Sequence, residues 1–435
     1  MYDLAVIGAG WAGFNAALRA RELGLKACLI EESYVGGTCL NLGCIPTKTL
    51  IQSAKIYSLA KKSSNFGIEI SATPVANLAR IQERKDKLIQ QLRLSMQGLL
   101  KGVDFLSGKA QFLSNTELTV GGQLIKAKYF IIATGSRPIE LPSMKFDGKK
   151  ILSSDDIIGL KDIPESLLIV GGGVIGCEFA SLFLALGTQV TIAEKLPQIL
   201  PGIDSEIVRR MTTVFKKKGV KVLTNTDALS FNLNDFHHVL VCVGRAGRIE
   251  DLDLKKAGIN PIKANIPVDD YLKTEADNIY AAGDCTGKVM LAHYAAYQGC
   301  IAAENIANIG VPKKADATAI PSCIFTDPEI STVGLSEDEA KSKGLDVWMS
   351  KFDFLGSGMA RIMDEAEGFI KIISEAKTGQ VIGGSIIGPR ATELIAVLGL
   401  AVSNRLSLDS IRQTIFAHPT LSESIHEAAV TGHAI

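Results

Sequence analysis

Cys39 and Cys44, with four residues between them, stand inside Gly36–Lys48, a glycine-rich stretch with a proline two positions after the second cysteine. If the intervening chain turns helically, the two sulfurs fall on neighbouring positions of one face. A disulfide across that gap is sterically plausible. It would close a loop too small to add much entropic stabilisation, which points to redox use rather than stapling. Two ordinary thiols, or half of a metal site, would show the same spacing. A zinc site wants a second pair at similar spacing, and the other six cysteines do not form one, so no metal is expected.

Two stretches could hold the carriers that such chemistry needs. Asp3–Gly13 is an apolar strand running into G-x-G-x-x-G at Gly8, Gly10 and Gly13. A helical pattern follows to Gly24, then a second strand, Lys26–Glu31. The glycines allow a tight turn and close approach to a pyrophosphate at a helix N-terminus, and Glu31 sits where a carboxylate meets ribose hydroxyls. The unit recurs at a constant offset of 163: Gly8, Gly10, Gly13, Gly24 and Glu31 map onto Gly171, Gly173, Gly176, Gly187 and Glu194. Two dinucleotide-binding units are therefore expected, with Ile131–Gly135 and Val241–Arg245 as their late strands. Glu194 is followed by no arginine cluster and would repel a 2′-phosphate, so the second site is expected to take NAD rather than NADP. Thr274–Asp284 reads as a strand ending in Gly283-Asp284. It could return to the first unit and meet a flavin's ribityl chain, or simply end in a solvated turn.

The 435-residue length suggests about three domains. Formal net charge is +0, so no basic surface advertises nucleic acid. The chain is 47% apolar but 6% aromatic, with 41 glycines, a profile of α/β layers rather than disorder. No apolar run reaches the roughly 18 residues of a membrane span. The apolar strand Leu4–Ile7 follows Met1 so closely that no signal peptide is expected, and eight scattered cysteines do not suggest a secreted scaffold. The expectation is a soluble cytoplasmic protein.

Four pieces, Gly36–Lys48, Ala281–Asp284, Pro321–Glu329 and His418–Glu423, stand in order beside the two fingerprints. Together they resemble the flavoprotein pyridine nucleotide–disulfide reductases over essentially the whole chain, most closely the branch that oxidises dihydrolipoamide. The resemblance implies two Rossmann-like units binding FAD and NAD plus a C-terminal α/β dimerisation domain. The boundaries are 1–146 for the FAD unit, 147–266 for the NAD unit, 267–316 for a return segment and 317–435 for the dimerisation domain. It implies Cys44 as the flavin-facing thiol, Cys39 as the interchange thiol, and Lys48 with Glu178 as an ion pair beside the flavin; an acid early in a helix would also be favoured there by the macrodipole alone. FAD contacts are expected at Gly8, Gly10, Gly13, Glu31, Thr38, Lys48, Ala110, Gly135, Asp284 and Ala292. NAD contacts are expected at Gly171, Gly173, Gly176, Glu194 and Gly244.

Among six histidines, His418 is the expected base, with Glu423 orienting its imidazole. Thr420-Leu-Ser-Glu423 also fits a capping box, a rival use of the same carboxylate. His237 and His238 are expected in solvent, and His293 in packing or a dimer contact; His426 and His433 have no distinctive neighbours. Phe369–Ile373 and Val381–Gly388 read as strands, and Ala391–Arg405 as a helix apolar on nearly every face, suited to a subunit interface. In the family this domain dimerises and delivers His418 and Glu423 to the other chain's cysteines, so a homodimer is expected, with a lipoyl-bearing protein of a multi-enzyme complex as partner.

Four departures stand out. Thr224–His238 is short for the family, Gly244–Ile249 lacks the usual G-R-x-P-N run, Thr47 replaces a serine, and Phe416 stands where many relatives have a second histidine. Glutathione-type relatives usually take NADPH, mercuric reductases carry a C-terminal cysteine pair absent after Cys323, and single-thiol oxidases lack a Cys39. A redox-idle structural flavoprotein is the rival from another class.

Overall fold

The computed structural model describes residues 1–308 and 310–431; His433 lies outside them. Three sheets organise the chain. The first has a parallel core, Asp104–Ser107, Ala27–Glu31, Tyr2–Ile7 and Gln123–Ile132, in that order. Two short antiparallel strands, Glu117–Val120 and Ala110–Phe112, extend it. Ile279–Ala281 adds alongside the far end of Gln123–Ile132, with Tyr280 opposite Ile131. This is the return strand expected from the Gly-Asp motif, and it brings Asp284 back to the first fingerprint.

The second sheet is wholly parallel, in the order Lys221–Leu223, Gln189–Ala193, Ser166–Val170, His238–Val241, Ile151–Leu152. The strand His238–Val241 ends short of Gly244. Arg245–Gly247 instead pairs antiparallel with Ser136–Pro138, a ribbon between the two units. The short Thr224–His238 connection carries two 3₁₀ turns, Ala228–Ser230 and Leu233–Asp235, and no hairpin. His238 is half-buried at the head of its strand, its Nδ1 2.7 Å from Lys149 O, rather than free in solvent.

Each fingerprint turn exists because nothing but hydrogen fits there. Gly8 has φ +100°, and a Cβ on it would fall 2.3 Å from Ala133 O; Gly171 has φ +106° and 2.7 Å to Cys242 O. Such backbone is open to glycine at little cost. Cβ atoms at Gly13 and Gly176 would sit 1.8 and 2.1 Å from the carbonyl oxygens of Gly8 and Gly171. The two third glycines therefore let helix pack on strand.

The third sheet is antiparallel: Ser322–Ile324, Glu329–Gly334, Val381–Gly388, Phe369–Glu375, Val347–Asp353. The helix Ala391–Ser403 buries Leu394, Ile395, Leu398 and Ala401 against it. Its other face leaves Ala396 and Leu400 exposed. The helix is thus covered on one face within one chain, with a second apolar face turned outward. Among the described residues, no helix is long and apolar enough to cross a membrane.

Candidate active site

Cys39 lies in a five-residue helix, Gly37–Asn41, and Cys44 is the first residue of the long helix Cys44–Lys61. Both are free thiols, Cys39 half-buried and Cys44 exposed. What Cys44 is exposed to is a cavity of about 710 Å³ that it lines together with Cys39 and Lys48. A hydrogen-bonding interaction between the two thiols acts on them in opposite directions. It draws the Cys44 thiol down to about 7, helped by the Lys48 charge against the pull of burial. The same interaction, then burial and the charge of Cys44, push Cys39 far above the usual thiol range. The pair therefore ionises at Cys44, at a helix N-terminus that favours an anion.

One helical turn on, Lys48 Nζ lies 2.8 Å from both oxygens of Glu178. Glu178 belongs to the second fingerprint's helix, Val174–Leu186, and is only 4% exposed. The Phe325 N–H donates to its Oε1 at 3.0 Å, and the Phe325 ring lies 4.8 Å from Lys48 Nζ. Glu178 thus joins all three sheets' units at the thiols, which is more than a helix-dipole preference requires. Phe325 carried no sequence signal of its own beyond its place in Pro321–Glu329.

The cavity runs from these thiols past Thr38, Gly135, Asp284 and Ala292 to Gly8, Gly10, Glu31 and Ala110. Its volume is in the range of small-molecule and cofactor sites, roughly 300–1,000 Å³. Glu31 does more than face a ribose. Its two oxygens accept the N–H groups of Ala9 at 2.7 Å and Ser33 at 2.9 Å. Glu194 repeats this at the same offset, accepting Gly172 N–H at 2.6 Å and Leu196 N–H at 2.8 Å. Each carboxylate oxygen has a second lone pair left for a hydroxyl. Asp284 accepts from Ser136 Oγ at 2.6 Å, and Ser136 Oγ in turn accepts from Arg245 Nε at 2.8 Å. Ser136 and Arg245 were invisible as partners in sequence, being separated by 109 positions.

These features fit FAD. The cavity is lined by the first fingerprint, by a carboxylate at Glu31, by an acceptor at Asp284 and by the start of the helix Ala292–Ile306. Gly13 is not part of that lining, in keeping with its packing role. Gly171, Gly173, Gly176, Glu194 and Gly244 also lie outside it. Within the second fingerprint, a Cβ on Gly173 would meet nothing within 4 Å. His293 lines the cavity, with Nε2 2.9 Å from Pro321 O. Among the described residues, no group of three or more His, Cys, Asp and Glu could hold a metal ion.

His418 and Glu423 do not line the cavity. His418 Nδ1 lies 2.8 Å from Glu423 Oε1, and the imidazole side chain is 82% exposed. The Thr420 N–H donates to the other oxygen, Oε2, at 2.7 Å. The two uses weighed as rivals thus coexist, one on each oxygen. The capping box itself is only half formed, since Thr420 Oγ1 donates to Ala417 O. The Thr420 bond, then His418, holds the Glu423 carboxyl below its usual range.

The model of the pyridine nucleotide-disulphide oxidoreductases matches residues 2–299, and that of their dimerisation domain matches 320–429. The chain belongs to this family. Among curated relatives in the family, the dihydrolipoyl dehydrogenase of Chlamydia muridarum is 41% identical over 450 residues, covering 99% of this chain and 96% of the relative. That of Bacillus subtilis is 39% identical over 450 residues, covering 98% of each. Among solved structures, LpdA of Mycobacterium tuberculosis superposes with a TM-score of 0.91 at 28% identity, covering 98% of this chain and 99% of that one. The HOCl-induced flavoprotein disulfide reductase RclA of Escherichia coli gives 0.88 at 28% identity, covering 99% of each. The expected glutathione-reductase-like α/β fold with a dimerisation domain is thereby established, and the dimerisation-domain match supports a homodimer.

Proposed function

We propose that the chain oxidises dihydrolipoyl groups, passing their electrons through FAD to NAD+. The single observation that carries the reading is the Cys39–Cys44 pair at the end of the dinucleotide cavity, with Cys44 drawn down to about 7 beside the Lys48–Glu178 ion pair. Full-length relatives named dihydrolipoyl dehydrogenase support it.

One thiolate of the reduced lipoyl group attacks Cys39 Sγ of the oxidised pair. The Cys39–Cys44 bond breaks and Cys44 leaves as a thiolate, the better leaving group of the two because its thiol is the more acidic. The second lipoyl thiol then attacks its own sulfur partner, closing the cyclic disulfide and expelling Cys39. His418 of the partner subunit takes the proton from the attacking thiol and returns one to Cys39, with Glu423 of the partner subunit fixing the imidazole tautomer. The exposure of His418 on one chain supports delivery to another. Lys48 holds Cys44 ionised, and Glu178 fixes the Lys48 ammonium. The chemistry that FAD supplies when bound is two-electron uptake from a thiolate and hydride donation to a nicotinamide. Gly171, Gly173 and Glu194 would bind that nicotinamide's dinucleotide, with Glu194 disfavouring a 2′-phosphate.

The lipoyl group is carried by a protein of a multi-enzyme complex, and the compartment is the cytoplasm. Initial rates with NAD and NADP, each paired with dihydrolipoamide and with glutathione disulfide in the matching direction, test the reading. NAD with dihydrolipoamide is expected to be fastest by orders of magnitude. A preference for NADPH with glutathione disulfide would overturn it.

A further inference from the structure

Trp11 sits inside the first fingerprint, between Gly10 and Gly13, and neither dinucleotide binding nor the exchange described above makes use of it. Two backbone contacts fix what lies next to it. Ala9 O accepts the Gly36 N–H at 2.8 Å, and a Cβ on Gly37 would fall 2.7 Å from Gly10 Cα. The fingerprint turn and the short helix carrying Cys39 are thus in direct contact, which places Trp11 beside Cys39, and both line the cavity.

The indole nitrogen is a donor only. Trp11 Nε1 is shielded from the cavity and from solvent by protein atoms, and no acceptor meets it in a well-aligned hydrogen bond. A bound cofactor therefore cannot reach it. Its neighbour is the Cys39 sulfur, and a hydrogen-bonding contact from the indole favours the ionised thiol against the stronger opposing effects of Cys44 and burial. A neutral thiol or a disulfide sulfur is a weak acceptor, whereas a thiolate takes a charge-assisted bond. A donor whose contact with the sulfur is poorly formed in the resting state and strengthens as charge appears is what selective stabilisation of a transition state requires.

We infer that the Trp11 indole N–H is the donor that stabilises negative charge on Cys39 Sγ as the second lipoyl thiol displaces it, which makes Trp11 a catalytic residue for the exchange. The inference rests on the dihydrolipoyl reading above. In that step the bond between Cys39 and the first lipoyl sulfur breaks as the cyclic lipoyl disulfide forms. The electron pair of the broken bond stays on Cys39, and the proton of the second lipoyl thiol reaches it by way of the partner's His418. Cys44 has Lys48 and a helix N-terminus to carry its charge. Cys39, the less acidic sulfur, has the indole.

The test is Trp11→Phe and Trp11→His in the FAD-loaded dimer, with flavin content per chain as the folding control. Trp11→Phe is expected to slow reduction by dihydrolipoamide about tenfold, the low end for loss of a hydrogen bond to a charged group. In enzyme pre-reduced with dithionite, alkylation of Cys39 by iodoacetamide is expected to slow by a similar factor. The thiolate–flavin charge-transfer absorbance should rise, because the shared proton moves onto Cys39. Trp11→His keeps a ring N–H and should recover part of each change. If Trp11→Phe does not retain flavin, the two pre-reduced readouts on Trp11→His carry the test, with intermediate shifts in the same directions. Wild-type reduction and alkylation in a flavin-loaded variant would overturn the inference, as would charge-transfer absorbance falling together with alkylation. Failure of the unmodified enzyme to oxidise dihydrolipoamide would instead overturn the functional reading, and the pre-reduced readouts need no lipoyl substrate.

Discussion

Lys48 and Glu178 act on Cys44 with opposite sign, so replacing each in turn makes a two-armed test of the site. Lys48→Met removes a cation that lowers the Cys44 thiol, and Glu178→Gln removes an anion that raises it. An opposite charge nearby typically lowers an acidic group by about 1–3 units. The lower end applies here, because Glu178, in contact with Lys48 at 2.8 Å, offsets part of its field. Starting from a thiol at about 7, Lys48→Met should move the midpoint up by about one unit, equivalent to about 1.4 kcal/mol. At pH 7 the ionised fraction would fall from about one half to about one tenth. Glu178→Gln should move the midpoint down by somewhat less, since Gln can still accept the Phe325 N–H. The thiolate is populated above the midpoint and lost as pH falls through it. The assay is a pH titration of charge-transfer absorbance in two-electron-reduced enzyme, with thermal unfolding alongside. Lys48→Met leaves a nearly buried carboxylate without its cation, at a cost of about 3 kcal/mol, the low end for a broken buried pair because Lys48 keeps 28% side-chain exposure. If both variants shift the midpoint the same way, or neither moves it, the electrostatic account of Cys44 is wrong.

Other outcomes follow from the same geometry. His418→Gln should slow dihydrolipoamide oxidation by about 10²–10⁴, the usual contribution of a positioned base, while leaving flavin content intact; steady-state rates and flavin absorbance check both. Diluting the enzyme through its dimer dissociation range should abolish turnover per chain, measured by rate against light-scattering mass, and undiminished turnover in monomers would remove the partner's His418 from the mechanism. Gly171→Ala forces a Cβ to 2.7 Å from Cys242 O at φ +106°, so NAD binding should be lost while FAD is kept and dihydrolipoamide still reduces the enzyme. Fluorescence titration with NADH separates these effects.

Legibility in the sequence followed the range of the interaction. The paired fingerprints, the constant offset and the return strand to Asp284 were readable because turn glycines and strand ends are local signals with fixed spacing. The cysteine pair was readable for the same reason, and the resemblance implied Cys44 as the thiolate, but the causes of its acidity, the hydrogen bond from Cys39 and then the Lys48 charge, emerged only from the fold. Glu31 and Glu194 were placed correctly as strand-end acids, yet their hydrogen bonds to Ala9, Ser33, Gly172 and Leu196 emerged only from the fold. Arg245, Phe325 and Trp11 lie within motif stretches and Ser136 next to one, but their roles carried no signal, because their partners lie in other segments. Ala391–Ser403 looked apolar all round because composition does not say which face one chain covers and which it leaves exposed.

The central claim is that electrons enter through Cys39 and pause as a Cys44 thiolate. Rapid mixing of oxidised, FAD-loaded enzyme with dihydrolipoamide tests it most directly. Long-wavelength charge-transfer absorbance should appear within the first turnover and be absent from both Cys39→Ser and Cys44→Ser treated in the same way. Wild-type turnover by either serine variant, or full reduction of the native enzyme with no such absorbance at any time, would contradict it.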